Sequence, residues 1–147
     1  MQLRRILAAS LGYAVVTFPL AVVWHLVVFG ETYDALGYID REQPIFAFGL
    51  LAILTQGAVM ATAYALFFGE RSTMKRALAF VSLFGLYHWT VHVLADAAKH
   101  EIAPLPTWFA LETLYLIVQF ALFACVLALV FRRAGDAAAP ALSAEGV

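Results

Sequence analysis

Five titratable side chains stand inside otherwise apolar sequence: His25, His88, His92, Asp96 and Glu112. Three of them fall in one stretch, GLYHWTVHVLAD (Gly85 to Asp96), at intervals of four residues. On a helix that interval puts them on one face. Several kinds of chemistry use such a set. Two imidazoles at i and i+4 ligate one ion when a carboxylate from another helix completes the shell, which suits zinc, copper or iron. Haem b takes axial histidines from opposing helices, and His25 with His88 or His92 are the candidates. Carboxylate–histidine chains also relay protons in membranes. A further reading needs no ligand, because a carboxyl–imidazole pair between two helices simply holds them together.

The surroundings of these residues are decisive. Only 13% of the 147 residues are charged, where a soluble domain carries roughly 25%. No Asp, Glu, Lys or Arg occurs from Ile6 to Gly30, from Gln43 to Gly69, or from Ala77 to Ala95, and Ile102 to Phe131 is interrupted only by Glu112. A helix crossing the ~30 Å hydrocarbon core needs about 20 apolar residues. These runs predict an all-α transmembrane four-helix bundle with spans at about 6–30, 44–69, 77–95 and 106–131. Residues 1–131 then form a single domain, followed by a disordered cytoplasmic tail over 132–147 that is rich in Ala, Gly and Pro. A soluble bundle would need polar outer faces, which these runs lack. The first run begins MQLRR, as a signal peptide might, but exceeds the usual 7–15-residue apolar region and is read as a retained span.

Arg4, Arg5, Arg71, Lys75, Arg76, Arg132 and Arg133 flank one set of span ends, and only Arg41 and Lys99 the other. Retention of basic residues in the cytoplasm predicts both termini inside, with the 31–43 and 96–106 loops outside. The net charge of −1 gives no electrostatic case for nucleic acid. The single cysteine, Cys125, excludes an internal disulfide and is expected to be a small packing residue.

At 1.5 Å per residue, His25 and Glu112 each lie roughly 8 Å from the outer end of their spans, and His88 roughly 10 Å, with His92 one turn higher and Asp96 at the surface. Three helices thus bring ionisable groups to similar depth. The inner half offers only Thr17, Thr62, Ser82 and Gln119 as polar steps. Gln56 and Gln119 lie nearer the bilayer middle and are candidates for hydrogen bonding between helices. Gly57, Ala61, Ala65 and Gly69 recur every four residues, a small-residue stripe that lets helix backbones approach closely. Thr107 after Pro106 reads as the N-cap of the last helix.

Three stretches, WHLVVFGETYDALGY, EQPIFAFGLLAILTQGAVMATAYALFF and LADAAKHEI…TWFALETLYLIVQFALF, resemble a group of small four-span bacterial membrane proteins of unknown function. The likeness spans most of residues 20–131 and implies an integral protein of the bacterial cytoplasmic membrane. Trp24, His25, Tyr33, Pro44, Gln56, Glu112 and Gln119 fall within it, which makes His25 with Glu112 the pair for any shared site, while His88 and His92 lie outside the pattern. The leading expectation is a non-enzymatic membrane protein acting in a homo-oligomer or as an accessory or assembly subunit of a larger membrane complex. The alternatives are a membrane redox protein holding a metal ion or haem b, and a small oligomeric transporter of protons or solutes.

Overall fold

Four helices long and apolar enough to cross a membrane, Gln2–Val28, Phe46–Phe68, Met74–Lys99 and Leu105–Val130, dominate the computed structural model. It describes residues 2–38, 41, 43–69 and 72–132, and among these there is no strand. Asp40, Glu42, Arg71 and all of the expected 132–147 tail beyond Arg132 lie outside the described residues.

The first span is a regular helix α1 (Gln2–Val22) that continues as a π-helical turn, Val23–Val28. A short helix α2 (Gly30–Leu36) follows, ending at Gly37, whose φ of 71° is the left-handed conformation that glycine adopts freely. The second span is α3 (Phe46–Phe68). The third is composite: α4 (Met74–Trp89), a second π-helical turn (Thr90–Leu94), then α5 (Ala95–Lys99). The Thr73 hydroxyl accepts from the Arg76 amide at 3.3 Å and caps α4 three residues before the charge-free run begins. The fourth span, α6, is Leu105–Val130. It starts two residues before Thr107, with Pro106 in the first turn, where a missing N–H is harmless, so Thr107 is not its cap.

The helices form an open row rather than a closed ring. α1 packs along both α3 and α6, α4 packs on α6, and α3 barely meets α4. The end of the molecule with α2 and α5 is called the upper end, and that with Gln2, Ser72 and Val130 the lower end.

Close approach explains the row. A Cβ on Gly12 would lie 2.6 Å from Val126 Cγ1 of α6, and one on Gly57 would lie 3.0 Å from the Ser10 carbonyl and from the Tyr13 ring. Gly57, Ala61 and Ala65 are buried and Gly69 is half-buried at the end of α3, where Gln2 reaches across to donate to the Ala65 carbonyl at 3.1 Å. The partner of the small-residue stripe is therefore α1 of the same chain. At the lower end Tyr64 stacks its ring against Phe68, Phe80 and Phe131, with centroids 5.0–5.2 Å away, and its hydroxyl meets Ser72. Outward-facing residues such as Val15, Leu66, Leu83 and Ile117 are apolar and exposed, which suits lipid contact. Cys125 is also exposed on this outer surface and fills no interior gap, because α6 buries the side that carries Phe123, Ala124 and Leu127.

Candidate functional site: a carboxylate between two histidines

Glu112 is fully buried on α6. Its carboxylate meets a ring nitrogen on each oxygen: His25 Nε2 is 3.1 Å from Oε1, and His92 Nε2 is 2.8 Å from Oε2. The Tyr33 hydroxyl donates to Oε1 as well. Tyr33 is itself positioned by the Trp24 indole N–H, which donates to its oxygen at 3.1 Å. The other nitrogen of His25, Nδ1, lies 3.0 Å from the Ala21 carbonyl one turn earlier. The other nitrogen of His92 faces Asp96 Oδ2 at 3.7 Å, and Asp96 in turn accepts from Tyr38 at 3.3 Å and pairs with Lys99 at 3.0 Å. A chain of polar groups thus runs from the exposed Lys99 and the half-buried Asp96 through His92 to Glu112, His25 and Tyr33.

Both histidines that reach Glu112 sit in π-helical turns. A π turn widens the helix and rotates the side chains that follow, and such turns gather at functional sites. Backbone groups within them need new partners. Trp108 of α6 supplies one, donating from Nε1 to the Val93 carbonyl at 3.1 Å. Trp89 fastens the same arm by donating to Thr113 Oγ1 at 2.9 Å.

The structure brings together His25, His92, Asp96 and Glu112 of the residues singled out from the sequence. His88 is left aside. Its ring lies 5.5 Å from that of His92 and 5.9 Å from that of Phe120, and it packs there half-buried. His88, His92 and Asp96 remain neighbours along the helix, but only His92, which lies within the π turn, reaches the carboxylate of Glu112. Among the described residues no group of three or more His, Cys, Asp or Glu side chains is arranged to hold a metal ion. The reason is local: the nitrogens expected as ligands point at separate oxygens of Glu112 and hydrogen-bond to them. Glu112 also bridges His25 and His92, one of the pairs read from the sequence as axial haem ligands.

Tyr33 and Tyr38, which are not among the five titratable residues singled out in the sequence, belong to the site. Burial, reinforced by the hydrogen bond to Glu112 and its charge, pushes the Tyr33 hydroxyl above its ordinary range. Burial and then the charge of Asp96 push Tyr38 the same way. Both phenols therefore keep their protons and act as donors. Their signal in the sequence was faint: Tyr33 comes eight residues after His25, and only the fold-back of α2 returns it to Glu112.

A second polar knot lies near the middle of the spans. Tyr13 donates to Gln56 Oε1 at 3.0 Å and accepts from the Gln119 amide. The two glutamines thus meet through a tyrosine that sequence reasoning did not single out. Thr17 is buried one turn above Tyr13, whereas Thr62 and Ser82 face outward and contribute no polar step to the interior. No protein family, curated protein or solved structure matches the chain.

Proposed function

We propose that this chain is a non-enzymatic protein of a bacterial cytoplasmic membrane that binds a proton on the His25–Glu112–His92 knot, exchanges it with the outer aqueous face through Asp96, and serves as a proton-responsive subunit of a larger membrane assembly. Both termini are cytoplasmic in this reading. The seven-to-two distribution of basic residues supports that orientation.

The single observation that carries the proposal is the pair of ring nitrogens on the two oxygens of a fully buried carboxylate. A carbonyl oxygen can only accept, so the His25 Nδ1–Ala21 contact requires a proton on Nδ1. The contact between Nε2 and Glu112 Oε1 then requires a second proton, shared between ring and carboxylate. Tyr33 cannot supply it, because its one hydroxyl proton is already directed at Oε1. Without that extra proton a lone pair on Nε2 would face a carboxylate oxygen, and the contact would open. The groups that bear on the knot are Tyr33 from α2, Tyr115 from α6, and His88, Asp96, Lys99 and Tyr38 around His92. Their sum leaves the closed arrangement favoured when the extra proton is bound and weakened as pH rises and it is lost.

Infrared difference spectroscopy of the protein in lipid nanodiscs during a pH titration tests this. A carboxyl or imidazole signal that Glu112→Gln removes and His25→Gln shifts is the expected result. A titration in which Glu112→Gln matches the wild type would overturn it. Reporter fusions after Arg76 should read cytoplasmic and fusions after Lys99 external, and the reverse would overturn the orientation.

A further inference from the structure

A slot of about 620 Å³ opens beside the knot at the upper end, between the first span and the start of α3. We propose that this slot binds an anionic phospholipid, with its headgroup phosphate at Arg41 and one acyl chain lying between α1 and α3.

The walls are graded from apolar to cationic. Phe18, Val22 and Leu26 of the first span face Phe46, Phe48 and Ile53 of α3. Above them the rim consists of Arg41 and Tyr38, with His25 and His92 at the back. No acidic side chain lines the slot among the described residues. Glu112 is screened from it by the two histidines that hold it. The first turn of α3 borders the rim and carries neither an acidic residue nor a side-chain cap, so its amide end adds positive potential. A volume of this size is typical of small-molecule sites. The gradient selects among occupants. A free phosphate would leave the apolar wall uncovered, and a neutral hydrocarbon would make no use of the Arg41 guanidinium. A lipid with a negative headgroup satisfies both, and an arginine at the membrane boundary is placed to meet it.

The slot also has a natural plug. A Cβ built on Gly49 meets nothing within 4 Å, so a larger side chain there projects into the slot without a clash. Native mass spectrometry of the full chain, released from detergent with either phosphatidylglycerol or phosphatidylcholine added, reads the binding. The wild type should retain phosphatidylglycerol over phosphatidylcholine by roughly fivefold, the discrimination one basic residue supplies at an anionic surface. Arg41→Gln should bring that ratio towards one, Arg41→Lys should keep it, and Gly49→Leu should lower retention of both lipids. Lys75→Gln, at the lower end, should leave the ratio unchanged. Equal retention of the two lipids by the wild type, or an undiminished ratio in folded Arg41→Gln, would overturn the inference. Neither result bears on the infrared titration of Glu112, so the lipid site and the proton site stand or fall separately.

Discussion

The Gln56–Tyr13–Gln119 knot and the His25–Glu112–His92 knot join the same two helices, α1 and α6, each with help from a third. The central knot is neutral and recruits α3. Its three side chains project from regular α-helix, and each hydroxyl or amide needs only one well-placed neighbour. The upper knot is ionisable and recruits the arm above α4. Its two histidines project from π-helical turns, and Tyr33 is brought back by a separate short helix. A neutral polar group in a membrane can be satisfied by ordinary helix packing. A buried carboxylate has two oxygens to cover, and covering them has reshaped the backbone of two helices.

That contrast can be broken at several points. Glu112→Leu should have the largest effect, since it strips His25, His92 and Tyr33 of their common partner. Removing one member of a buried ionic set costs about 3–5 kcal/mol, measured as unfolding in detergent micelles. Wild-type stability should fall as pH rises through loss of the shared proton, and Glu112→Leu should flatten that dependence. A Glu112→Leu protein as stable as the wild type would erase the distinction between the two knots. Ala61→Leu comes next, because Ala61 has no exposure against α1, and overpacking costs about 1–3 kcal/mol. Ala58→Leu, on the exposed side of α3, is its control and should change little. Tyr13→Phe should be milder, at about 0.6 kcal/mol for each hydrogen bond lost in a membrane setting, and should leave the pH dependence intact. If Tyr13→Phe outweighs Glu112→Leu, the central knot is the principal fastening. His88→Phe should be the smallest, within about 0.5 kcal/mol of wild type, with the infrared signal of Glu112 retained.

Much of this architecture could be read from residue order. Lipid solvation acts residue by residue, so charge-free runs locate the apolar helices directly. The fixed rise of a helix carries depth, and it puts His25 and Glu112 at one level with His88 and His92 within about a turn of it. What stayed hidden depends on groups far apart in the chain. The π turns at Val23–Val28 and Thr90–Leu94 have no compositional mark. His88 and His92 look equivalent in GLYHWTVHVLAD, yet only His92 reaches the carboxylate. Tyr13 became a hub only because Gly12 and Gly57 let α6 and α3 close on α1 around it. The open row also escaped notice, since four apolar helices are equally compatible with a closed ring.

The order of groups Asp96, His92, Glu112 has an electrical consequence. Asp96 lies three residues before the upper end of its apolar helix at Lys99, while Glu112 lies seven residues beyond Leu105, the upper end of the fourth. In the reading proposed above, a proton passing from Asp96 to Glu112 moves away from the upper end and crosses part of the transmembrane field. One charge crossing the whole field gains about 2.3 kcal/mol per 100 mV, and this partial passage gains a proportionate share. In the orientation proposed above, an interior-negative potential draws the proton inwards and favours the occupied knot. Occupancy would then respond to voltage and pH together. Imposing a potassium diffusion potential across proteoliposomes should therefore shift the pH midpoint of the Glu112 infrared signal upwards.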